Sequence, residues 1–221
     1  MAQSNSKRTA APRGDPTRIV TLEDILDLRA YERARDDYRR RVIEIKRSRR
    51  VPLGPIMTVV FESFDTVRFQ VQEMARAERI LSDDNIQAEL DVYNRLLPAP
   101  GELSATLFIE LTTEDELREW LPKLVGVERA IGVEVPGATP SVAAGAPEET
   151  HAEALTREAV TAAVHYLRFE FTEDQVRRFA TGSPALVARH DRYQARTELS
   201  AETRAALLGD LEGRTEPLPL G

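Results

Sequence analysis

The sequence predicts an α+β fold: a single mixed or antiparallel sheet of about five strands packed with helices, led by a long N-terminal helix. Three observations predict it. Apolar residues recur at spacings of three and four from Ile25 to Ile45, one stripe along a helix. Five short runs rich in β-branched or apolar residues are bounded by turn signals. Helical patterns of uneven length stand between these runs, most of them opened by a Ser, Thr or Asp cap.

Residues 1–18 are polar, with Pro12, Gly14 and Pro16, and read as a disordered arm ahead of one domain over residues 19–212. Thr21 with Asp24 three residues on is a capping-box variant, so the first helix is expected over Leu22–Arg47. Pro52 ends it and Gly54-Pro55 turns the chain. Ile56–Glu62 reads as a strand, and Asp65 or Thr66 caps a helix to about Leu81. Ser82 caps the next helix, to about Leu97, before Pro98. Leu103–Leu111 is a second strand, Glu114–Leu124 a helix capped by Thr112 or Thr113, and Arg129–Val135 a third strand. From Gly137 to about Glu158 the chain is rich in Ala, Pro and Glu without a period, and reads as a long loop or marginal helix. Ala159–Phe171 and Ala185–His190 are the last two strands, with a short helix capped by Thr172 between them. Ser200 caps a final helix over Ala201–Leu211, and a loose tail covers 213–221. Phe108–Trp120 and Leu167–Phe179 repeat one pattern, a strand followed by a Thr cap, a Glu-Asp first turn and an amphipathic helix.

Composition narrows the function classes. At 221 residues, 42% hydrophobic and 30% charged, the chain has an ordinary soluble composition. No apolar run approaches the ~18–20 residues of a membrane span, and the first residues lack the apolar core of a secretory signal, so a cytoplasmic protein is expected. The chain has no cysteine, which removes disulfides, thiolate metal sites and a cysteine nucleophile together. Histidine occurs only at 151, 165 and 190, so a metal site would lean on carboxylates. No phosphate loop, dinucleotide fingerprint, nucleophile elbow or His-Glu-x-x-His is present. Charge is uneven: Arg29–Arg50 holds ten basic and four acidic residues, +6 in a chain of net −7, so the rest carries −13. The cations Arg39, Arg40, Arg47 and Arg50 are therefore candidates to bind an anion or an acidic partner, whereas nucleic acid is disfavoured by the acidic whole and by 6% aromatics.

The second helix carries the other polar candidates. Val67, Val71 and Met74 form a stripe that Glu78 continues, with Gln70 and Glu73 on a neighbouring line. A carboxylate on that side needs a cation, a metal or donors; an arginine of the first helix would serve as a structural partner. His165 shares a strand face with Ala163, Leu167, Phe169 and Phe171, which suits a satisfied core residue, a ligand or a base. Glu73, Glu78 and His165 form the candidate metal set. The opposite strand faces hold Glu62 with Thr58 and Val60, Glu110 with Thr106 and Phe108, and Arg168 with Tyr166 and Glu170. If they coincide, they form a charged patch against the basic helix.

Taken in order, Arg49-Arg50-Val51-Pro-Leu53-Gly54-Pro55, Phe61-Glu62 with Thr66, Gln70, Gln72-Glu73-Met74 and Glu78-Arg79-Ile80, Tyr93-Asn94, Ala105-Thr106, Val164-His165 and His190 with Tyr193 resemble an uncharacterised bacterial family, domain of unknown function 3501. Arg95 stands where that family carries proline, so the helix through Tyr93 is expected to run on. The resemblance implies no established activity and no known cofactor. It implies a redox or oxidative-stress setting, with a rubrerythrin-like or a flavin or iron–sulfur oxidoreductase as partner. The expected function is thus an accessory or ligand-binding protein of such a system. A metal-dependent enzyme using the Glu/His cluster, or a structural interaction module docking through the basic helix, are the alternatives.

Overall fold

A computed structural model describes residues 18–137, 141–147, 161–214 and 217–219. The expected arm at 1–18, apart from Arg18, lies outside them, as do residues 148–160. All six expected helices form: α1 Leu28–Arg47, α2 Phe64–Ala77, α3 Asp83–Tyr93, α4 Glu114–Trp120, α5 Glu173–Thr181 and α6 Ala201–Leu211. None of them is long and apolar enough to cross a membrane.

The sheet departs from expectation. It has eight strands, all paired antiparallel, not about five. They are β1 Arg50–Pro52, β2 Met57–Phe61, β3 Glu102–Ile109, β4 Ile131–Val135, β5 Ser141–Pro147, β6 Val164–Glu170, β7 Ala185–His190 and β8 Tyr193–Glu198. The order β1-β2-β3-β6-β5-β4-β7-β8 curls into a nearly closed barrel. Its two edges are stitched by side chains, with the Tyr193 hydroxyl donating to Leu53 O at 2.5 Å and Thr197 Oγ1 to Pro52 O at 2.6 Å. The unforeseen strands are β1, β5 and β8, each with a physical reason. β1 has three residues and ends on a proline, β5 is built of Ser, Val, Ala, Gly and Pro, and β8 is mostly polar. None has the β-branched apolar run that marks a strand in sequence, and each is specified by its partner's ladder.

The barrel interior is the main core. Val59, Phe61, Leu107, Val133, Leu167, Phe169 and Leu186 meet there, and α5 and α6 add Phe179, Leu207 and Leu211. The first three helices form a second layer outside the sheet. Tyr31, Tyr38 and Val42 of α1 form one cluster there. Phe64, Val67 and Val71 of α2 join Leu90, Leu96 and Leu97 in another. This is why β2 is buried along its whole length: one face lines the barrel and the other meets helices.

Local capping explains the helix limits. Asp24 folds back on Thr21 and caps only a 3-10 turn, Leu22–Asp24. The Gln72 side-chain amide then brackets the backbone of Leu26 at 2.9 and 3.0 Å, and Asp27 caps α1, which starts six residues later than the capping box at Thr21 suggests. Helix α3 does not run on as expected; it ends at Tyr93 and tightens into a 3-10 turn, Asn94–Leu96, where the Asn94 side-chain amide holds both backbone groups of Val20. The sequence repeat forms equivalent units. β3-α4-β4 and β6-α5-β7 are both strand, Thr-capped helix, strand, and β3 pairs with β6 as β4 pairs with β7.

Candidate functional site

Cross-strand register places Arg50, Val60, Thr106 and Tyr166 in one row on the outer face of β1, β2, β3 and β6. Phe108 and Val164 form the adjoining pair. Across from them stand Lys46 of α1, Thr66, Val67 and Gln70 of α2, and Tyr93 at the end of α3. The two walls enclose a cleft of about 200 Å³ between barrel and helical layer.

Glu62 lines this cleft. It follows β2, and its N–H donates to Ser104 O at 2.8 Å, which fixes the backbone. Its two carboxylate oxygens accept from the hydroxyls of Thr106, at 2.5 Å, and Thr66. Thr66 is itself fixed, taking the Ser63 N–H at 2.9 Å in the capping of α2. Among the described residues no cation lies within salt-bridge distance of Glu62. The two tyrosines keep their protons: burial pushes both hydroxyls up, and the nearby Glu62 charge adds to this for Tyr166. Gln70 hydrogen-bonds the Tyr93 hydroxyl. At the rim Arg50 pairs with Glu110, which also accepts from Thr58 Oγ1 at 2.7 Å. The cleft thus combines an anchored carboxylate, phenolic donors and a cationic rim around an apolar floor.

The chain matches, over residues 19–211, the family described as protein of unknown function (DUF3501). It belongs to that family. Among solved structures it is similar to one from Burkholderia pseudomallei K96243, described as a novel protein of unknown function. That chain is 33% identical, with a TM-score of 0.79 over 88% of this chain and 100% of that one. No curated protein matches.

Of the ligand-binding candidates drawn from the sequence of this DUF3501 protein, the cleft gathers Gln70 and Arg50, together with Glu62 from the charged strand-face patch. Glu73, Glu78 and His165 are not brought together, and the proposed metal set is corrected. Glu73 sits on the α1 side of α2, where Arg35 grips both its oxygens at 2.8 Å and Tyr31 donates at 2.5 Å. Arg35 and then Tyr31 hold its carboxyl below the usual carboxylate range against the cost of burial. The structural pairing with an arginine of the first helix exists, but for Glu73. Glu78 is exposed, because α2 stops at Ala77 and the stripe has no further turn to continue on. His165 points the other way, into the barrel beside Leu107. Its Nε2 contacts Thr161 Oγ1 and Ala162 O, both at 2.9 Å, and burial pushes its pKa down. The sheet separates it from both glutamates. Among the described residues no group of three His, Cys, Asp or Glu could hold a metal.

Arg39, Arg40 and Arg47 are exposed on α1 and do not line the cleft. Arg40 pairs with Asp37, and Arg47 lies 3.8 Å from Glu44. The strand faces carrying Glu62, Glu110 and Arg168 do coincide, though Arg168 is committed to Glu102 at 2.6 Å. Thr66, Thr106, Tyr93, Tyr166 and Lys46 are missing from the sequence-derived site. Strand alternation grouped Thr106 with Glu110 and Tyr166 with Arg168; what it lacked was the register that brings those faces beside Glu62.

Proposed function

We propose that the protein binds a small polar ligand carrying an amine, held in the cleft with its cationic group on Glu62 and an anionic group facing Lys46 at the rim. One observation carries the reading: a half-buried carboxylate, anchored by two threonine hydroxyls, lines the cavity and among the described residues has no cation within salt-bridge distance. Such a charge is costly to shield from water unless it is matched, and a ligand ammonium supplies the match. Tyr93 and Tyr166, protonated, donate to the ligand's acceptors. The volume of about 200 Å³ suits a molecule of amino-acid size.

Thermal-shift titration with amino acids and small primary amines tests this, with carboxylic acids lacking the amine as controls. Amine-bearing compounds are expected to raise the melting temperature and the controls are not. The response should vanish in Glu62→Gln. A full response in that variant, or none to any amine in the wild type, overturns the reading. An accessory role beside a rubrerythrin-like, flavin or iron–sulfur oxidoreductase rests on the family resemblance alone, and co-purification from the native host is its test.

A further inference from the structure

On the opposite side of α2 from the cleft, two charged side chains are buried together. Arg68 is 2% exposed and Asp65 4%. They are one helical turn apart and bridged at 2.8 Å, and Arg68 Nε also donates to the Tyr38 hydroxyl at 2.7 Å. A pair this buried needs every remaining donor and acceptor matched. The matches come from a single distant residue. The N–H of Leu218 donates to both Asp65 oxygens, at 3.1 and 3.2 Å, and Arg68 Nη2 donates to Leu218 O at 2.9 Å. Arg41 Nη1 reaches the next carbonyl, Pro219 O, at 3.4 Å.

The sequence of the held segment fits this reading. Leu218 lies between Pro217 and Pro219. Prolines have no N–H and favour extended backbone, so Leu218 offers the one amide donor of the three, and Asp65 takes it. Arg68 takes the carbonyl of the same residue. Tyr38 and Phe64 flank the guanidinium, their ring centroids 5.3 and 5.4 Å from it, and fix its plane. Burial pushes the Asp65 carboxyl up and the Leu218 N–H is the largest influence opposing this, so the segment helps to keep it charged.

We propose that Asp65 and Arg68 form a main-chain-reading site for an extended peptide, filled in cis by Pro-Leu-Pro at residues 217–219. A partner peptide bearing the same three residues would enter only by displacing the chain's own segment. Tethering gives the cis segment an effective concentration in the millimolar range, so it masks the site from dilute peptides.

The test uses the full chain and a fluorescent peptide, Thr-Glu-Pro-Leu-Pro-Leu-Gly, read by anisotropy. Leu218→Pro removes the N–H from the cis segment. This variant is expected to bind the peptide at least ~10-fold more tightly than the wild type, whose site is masked. A peptide with N-methyl-leucine at the central position should lose at least ~10-fold in affinity, since it cannot donate to Asp65. Equal affinity in wild type and variant, equal affinity of the two peptides, or no binding by a folded variant overturns the proposal. Amide exchange on the wild-type chain gives an independent reading: the Leu218 N–H should be protected, and an exchange rate equal to that of a free peptide overturns the cis contact.

Discussion

Arg49 and Asp210 are joined by two hydrogen bonds, at 2.5 and 3.0 Å, with side chains 4% and 3% exposed. They tie the start of β1 to α6, across most of the sequence. Removing one partner strands a buried charge, so Asp210→Asn should cost about 3–5 kcal/mol in urea unfolding, while Arg49→Met with Asp210→Leu should recover most of the loss. A single variant as stable as wild type would refute this. His165 makes a pH-dependent prediction. Its folded pKa lies below the ordinary value of 6.5, so the unfolded chain takes up the proton first on acidification. Stability should therefore hold above pH 6.5 and fall as pH drops below it, and His165→Gln should flatten that slope in unfolding curves taken from about pH 5 to 7. At this scale the sequence read environments well and partners poorly. The apolar strand face around residue 165 suited a core histidine, but the same residue also read as a ligand or base. Nothing within Leu22–Arg47 said whether Arg35 would meet Glu73 or Glu78, because that choice depends on where α2 ends.

At the scale of elements, the seam between β1 and β8 is the weak line of the barrel, since side chains alone bridge it. Gly54, with φ of +70°, sits against it, and a Cβ there would collide with the Tyr193 hydroxyl. Gly54→Ala should lower stability and raise amide exchange in β8 more than in β6, whereas uniform exchange across both strands would show that the seam is not the weak line. Tyr193→Phe should do the same more mildly. The helices were legible because caps and stripes are local: Thr113, Thr172 and Ser200 each accept the backbone N–H that their spacing suggests. The strands were legible only where apolar. β8 has no central apolar run, and its pairing with β7 from Ala185↔Glu198 to His190↔Tyr193 is imposed by the neighbour.

At the scale of the molecule, the two layers divide the work. The barrel closes most of the apolar core on itself, and the helical layer covers one stretch of its outer face while leaving a cleft over Glu62. A site formed between two layers is hidden from a one-dimensional reading. Its residues come from α1, β1, β2, α2, α3, β3 and β6, and only the cross-strand register brings Arg50, Thr106 and Tyr166 into one row. The proposed ligand site is this cleft, not Glu73, Glu78 or His165. The most direct measurement is an amide chemical-shift map during titration with an amine-bearing ligand that raises the melting temperature. Saturating shifts should cluster at Glu62, Thr66, Gln70, Thr106 and Tyr166 and disappear in Glu62→Gln. Shifts centred on Glu78 or His165, unaffected by that substitution, would contradict the account.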